Sequence, residues 1–129
     1  PDADAEAYRQ ALETAQRAQS LTPNDPSVLT ALGGAQYRTG AYQEALDTLN
    51  LATQMFGKAG QEADPVIVGL KAMAFHQLKQ PAQARSAIEQ LRALLKKESP
   101  TDGPRARARL SRAQALLAEA EGVIEGGKK

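Results

Sequence analysis

The chain has 129 residues, 42% of them hydrophobic and 24% charged, with no Cys, no Trp and a formal net charge of +1. That composition excludes a disordered tail, a disulfide scaffold and thiol chemistry, and the near-neutral charge gives no overall pull toward nucleic acid or lipid. Aromatic residues are only 4%, which favours helices packed through small side chains over a sheet built on β-branched and aromatic runs.

The first helix is expected over 2–21. Asp2, Asp4 and Glu6 complement the positive end of its dipole. Tyr8, Ala11, Leu12, Ala15, Ala18 and Leu21 recur at helical spacing and form one face. Pro23-Asn24-Asp25-Pro26 breaks the chain, and Asp25-Pro26 opens a second helix, Asp as N-cap and Pro at the first helical position. Gly33-Gly34 in its middle lowers helix propensity by about 1 kcal/mol per Gly relative to Ala, which calls for the close approach of a neighbouring helix. Gly40 ends it.

A third helix over 41–56 buries Tyr42, Ala45, Leu46, Leu49, Ala52 and Met55. The polar stretch from Gly57 to Asp64 reads as a loop. Asp64-Pro65 repeats the start signal of Asp25-Pro26. A fourth helix covers 66–79, and Pro81 starts a fifth that runs through Ala84, Ile88, Leu91 and Leu95. Residues 99–104 form the strongest linker, a sixth helix follows over 105–121, and Gly126-Gly127-Lys128-Lys129 reads as a frayed end. No apolar run reaches the ~20 residues of a membrane span and no signal peptide is visible. A cytoplasmic location is therefore favoured, for a chain expected to be cut from something longer, since it starts at Pro1 without Met.

The first and third helices are copies of one another. Tyr8 matches Tyr42, Ala11 matches Ala45, Leu12 matches Leu46 and Ala18 matches Ala52, at a constant step of 45 − 11 = 34 residues. Self-similarity at that period is the mark of a helical-hairpin array. Residues 26–59 resemble a tetratricopeptide (TPR) repeat, with Leu29, Leu32, Gly33 and Ala35 in its first helix and Tyr42, Ala45, Leu49 and Ala52 in its second. Gln36 stands where the family has an aromatic. Residues 2–23 look like the second helix of a preceding half repeat. Residues 65–97 look like a degenerate repeat at a step stretched to 39 by five extra loop residues, and 104–121 like a capping helix. The stretch around AMAFHQLKQPAQARSAIEQL also resembles repeat pairs near the C-terminus of large bacterial multidomain proteins. The fold expected is thus all-α, a single TPR-like helical-hairpin solenoid over 1–129 with about six antiparallel helices.

The resemblance implies a peptide-binding groove lined by the first helix of each hairpin. Its positions here are Thr30, Gly34, Tyr37 and Arg38, with Ser27 beside them, and Gly69, Met73, His76 and Gln77. Two rings, a thioether and a cation suit a peptide or partner helix with an apolar anchor. Thr30 and Gly34 occupy positions where the family's carboxylate-clamp variant needs Lys and Asn, so capture of a C-terminal carboxylate in that groove is not expected. Arg105, Arg107, Arg109 and Arg112 form a basic run that suits an acidic partner or nucleic acid. The glutamates that follow on the same helix and the lack of interleaved aromatics favour a solvated cap face instead. His76 is the only histidine and no cysteine exists to join it, so neither a metal centre nor a cofactor is expected. Nothing resembles a nucleophile with its base. The expected role is non-catalytic protein–protein interaction as a scaffold or adaptor segment. Homodimerisation through Tyr8 and Leu12 on the first helix is the alternative.

Overall fold

Asp-Pro pairs set the two helix starts on which the chain is framed. In a computed structural model that describes residues 2–58, 60, 64–97 and 103–124, with the side chains at positions 2, 3, 105, 106 and 109 outside the description, six α-helices form and no strand does. They are α1 (Asp2–Leu21), α2 (Pro26–Arg38), α3 (Tyr42–Lys58), α4 (Pro65–Gln77), α5 (Pro81–Lys97) and α6 (Pro104–Ile124). Gly57 and Lys58, expected in a loop, extend α3, and Pro104, expected in the linker, opens α6; the rest of the expected loop before Asp64 apart from Gly60, the linker at 99–102 and the tail at 126–129 lie outside the described residues.

The Asp25 carboxylate accepts hydrogen bonds from the backbone N–H of Ser27 (2.9 Å) and Val28 (3.3 Å). Asp64 accepts one from Val66 (2.8 Å). Each satisfies a donor that the first helical turn leaves open. The helices stop alike as well. Gly40 N–H donates to the Tyr37 carbonyl and Ala41 N–H to that of Gln36; Lys79 donates to His76 and Gln80 to Phe75. Both ends are Schellman motifs, which require a left-handed residue. Gly40 takes it freely at φ 90°, whereas Lys79 takes it at φ 62°, the single positive-φ non-glycine residue described.

Caps, turns and helix lengths of 13 and 17 residues thus recur in the two hairpins at a step of 64 − 25 = 39 residues. The backbone repeats even where side chains do not.

The chain divides into two compact units, Pro1–Ala63 and Asp64–Lys129. In the first, α2 packs against both α1 and α3. Its core centres on Leu29, Leu32, Ala45, Leu46, Leu49 and Ala52. Helix α1 contributes little beyond Ala15, and Leu21, expected on its packing face, is 81% exposed because it falls in the last turn before the chain breaks at Pro23. In the second unit α4, α5 and α6 pack pairwise on one another. Helix α4 is apolar almost all round, as a central helix must be: Pro65 to Leu70 and Ala72 to Ala74 are all buried. Ala113, Leu116, Ala120 and Ile124 are the buried positions of α6.

Close approach explains Gly33. A Cβ built there would lie 2.6 Å from Leu49 Cδ2 and 2.7 Å from its Cγ. The corresponding positions of the second hairpin hold Ala72 and Ile88, both buried. Overpacking a filled core costs about 1–3 kcal/mol, and Ala regains about 1 kcal/mol of helix propensity over Gly. Gly33→Ala is therefore expected to lower stability by on the order of 1 kcal/mol. Adding Leu49→Ile should recover more than the two single effects summed. Circular-dichroism melts of the three variants check this; a higher melting temperature for Gly33→Ala alone would show that the helices have room to spare.

Candidate functional site

The residues expected to line a groove fall into two sets, one in each unit. In the first, the Thr30 hydroxyl is buried and donates to the Pro26 carbonyl of its own helix at 2.8 Å. That bond is the usual one for a helical Thr and leaves no free donor. Tyr37 is also buried, its ring 5.5 Å from that of Tyr42 and tilted by 54°. The Arg38 guanidinium lies 5.4 Å from the Tyr37 ring centre and 6.0 Å from that of Tyr8 on α1, within cation–π range. Ser27 is exposed and Gly34 partly so. What this face offers a partner is thus Ser27, Gly34 and the half-buried Arg38, with Tyr37 as the packing beneath.

In the second unit Met73 is fully buried. The expectation that its thioether lines a surface is corrected: α4 is covered on several sides, so a position that faces outward on a two-sided helix faces core here. Gly69 likewise points at Leu116 of α6, 3.1 Å from where its Cβ would stand. Gln77 is exposed and His76 half-exposed. With Lys79 and Pro81 they border an open concavity of about 490 Å³ at the turn into α5.

Of the basic run, only two side chains are described. Arg107 and Arg112 are exposed on α6, but at 100° per residue they point about 140° apart around its axis. The side chains of Arg105 and Arg109 lie outside the description. Glu121 of the same helix is occupied in holding α5: Arg92 donates to its Oε2 from Nη2 at 2.6 Å and Nε at 3.1 Å. No group of three or more His, Cys, Asp or Glu able to hold a metal occurs among the described residues, and no described helix is long and apolar enough to cross a membrane.

Two polar groups stand out that residue spacing alone did not single out. Gln36 is buried with its Oε1 lacking any hydrogen-bond partner. Lys71 lies half-buried on α4 beside a cleft of about 220 Å³ between α4 and α5. Burial pushes its amine below the usual lysine range, since the charged form loses solvation. The available signal was its setting, a lone charge inside the apolar run VIVGLKAMAF.

Comparison with protein-family models, with curated proteins and with solved structures finds no match to this chain.

The Lys71 amine gives a pH dependence with a definite sign. Its folded value lies below the unfolded one, so between the two the unfolded chain binds more protons and stability rises with pH. The gain accrues from just below the lowered folded value up to about 10.4, the ordinary lysine value. Urea unfolding of wild type and Lys71→Met from about pH 8 to 11 should show wild type gaining on the variant as pH rises. Parallel curves would mean that Lys71 is fully solvated.

Proposed function

We propose that this chain is a non-catalytic protein–protein interaction module of TPR-like helical hairpins, serving as a scaffold or adaptor segment of a larger protein. The observation that carries the reading is the repetition of one backbone unit, with the same N-cap residue, the same turn hydrogen bonds and the same pair of helix lengths, under side chains that differ. A hairpin of this kind cannot bury its apolar side alone, so arrays of them arise by stacking. Repetition of a scaffold with variation on its surfaces is how such arrays present recognition residues. Here the accessible ones on the first helices are Ser27, Gly34 and Arg38 in one unit, and His76 and Gln77 in the other.

A second reading rests on α1. Tyr8 is 39% exposed and Leu21 81%, and both are large apolar groups on a helix with one buried residue, Ala15, among those described. Self-association through α1 would cover them. Binding of nucleic acid or an acidic partner by the basic run is the weakest reading, given the glutamates that follow in sequence and the lack of interleaved aromatics.

Peptide display on the immobilised chain, followed by backbone-amide NMR mapping of a selected peptide, tests the first reading. The expected footprint falls on α2 around Gly34 and Arg38, or on α4 around His76 and Gln77, and Arg38→Ala or Gln77→Ala weakens the peptide that maps to it several-fold. A footprint confined to the outer faces of α3, α5 or α6 would refute the assignment. For the second reading, sedimentation velocity from micromolar to near-millimolar concentration should show dimers that Leu21→Glu abolishes; a monomer throughout removes it.

A further inference from the structure

The cleft between α4 and α5 is a different place from the first-helix faces just described. One stripe of α4 (Val68, Lys71, Phe75) forms one wall, and Gln83, Ser86 and Gln90 of α5, with Ala87 between them, form the other. Its volume, about 220 Å³, is that of one medium side chain or a short organic acid.

Three observations define what would fill it. First, the charge is single in sign. Among the described residues, Lys71 is the only ionisable group lining the cleft and no carboxylate pairs with it. Second, the remaining polar groups can all donate: two side-chain amides and a hydroxyl stand on the wall opposite the ammonium. Third, Val68, Phe75 and Ala87 supply apolar wall. The matching position of the first hairpin, 39 residues earlier, holds Leu32, a buried core residue. Apolar packing is therefore compatible with this backbone position, and the second hairpin instead places a cation there.

We propose that the α4–α5 cleft binds a carboxylate carried on a short apolar body. The ammonium of Lys71 pairs with the carboxylate, and the amides of Gln83 or Gln90 and the Ser86 hydroxyl donate to its remaining lone pairs. The apolar body lies against Val68, Phe75 and Ala87. An anion beside the amine offsets the solvation that burial takes from its charged form. The site does not depend on the first-helix faces, and either reading can fail without the other. The carboxylate can come from a free aliphatic acid or from a glutamate beside an apolar residue in a peptide.

The test follows the lysine ε-methylene and alanine methyl signals of the 129-residue chain by NMR at pH 7. Separate titrations use 4-methylpentanoate, the blocked peptide acetyl-Leu-Glu-Leu-amide, and 4-methylpentan-1-ol as the uncharged control. Saturable shifts at Lys71 and Ala87 with either carboxylate support the site, and the tighter of the two names the source. The alcohol should bind about tenfold more weakly or worse, as should the acid to Lys71→Met, from the usual strength of charge-assisted hydrogen bonds. If Lys71→Met loses helicity, the Ser86→Ala/Gln90→Ala variant takes its place and should weaken binding several-fold. Absence of saturation with both carboxylates, equal affinity for acid and alcohol, or unchanged affinity in the folded variants overturns the proposal.

Discussion

The seam between each 13-residue helix and the 17-residue helix after it is the contact on which the rest depends. Its residues are small where the axes come closest. Ala45, Ala52, Ala72 and Ala84 have no exposed surface, and Gly33 leaves no room for a methyl group beside Leu49. A chain with 4% aromatic residues cannot fill a wide gap between helices with large rings. It reaches interior packing density by narrowing the gap, because dispersion contacts fall away within an ångström of separation. The large residues of each unit's core, Leu29 and Leu49 in one and Ile67, Met73, Ile88 and Leu91 in the other, then fill the spaces that the close axes leave.

Once the seam and the caps are fixed, other positions of the first helix are free to differ, buried ones among them. Moving 39 residues along the chain exchanges Leu32 for Lys71, Gln36 for Phe75, Tyr37 for His76 and Arg38 for Gln77, yet the turn hydrogen bonds keep their partners. Even the left-handed turn residue changes from Gly40 to Lys79. The motif tolerates that because two backbone hydrogen bonds hold the turn, while the strain of one lysine at positive φ is small by comparison.

This division decides what could be read from residues alone. Helix starts were legible because Asp followed by Pro has one physical use at that spacing, and the structure places caps at Asp25 and Asp64 as expected. Gly33-Gly34 pointed to a close helix, and Gly33 meets one. Periodicity says which residues share a stripe but not what lies over it, which is why Met73 read as surface and proved to be core. In the arginine run, helix geometry sets Arg107 apart from Arg112, a separation that adjacency in the letters hides. The backbone repeat between the hairpins was faint in the letters, since only the caps and a few alanines recur; the hydrogen bonds carry it. The resemblance to a TPR unit lay in the same small residues that make the seam.

Lys71 and Gln36 test the idea that packing alone shaped this chain. Superposed by the 39-residue step, they fall one helical turn apart on the same stripe of the first helix: 71 corresponds to 32, and 36 to 75. One hairpin satisfies the first of these positions with Leu32, and the other satisfies the second with Phe75. Each thus shows that the backbone accepts an apolar side chain where its counterpart keeps a polar one. An orphaned buried acceptor such as Gln36 Oε1 costs about 1–3 kcal/mol, and a half-buried ammonium with no anion beside it is also unfavourable. Selection for stability alone would carry the apolar residue at both places. The two deficits thus lie one helical turn apart on the first helices, Gln36 inside the first unit's core and Lys71 at the rim of the α4–α5 cleft, and the backbone repeat demands neither.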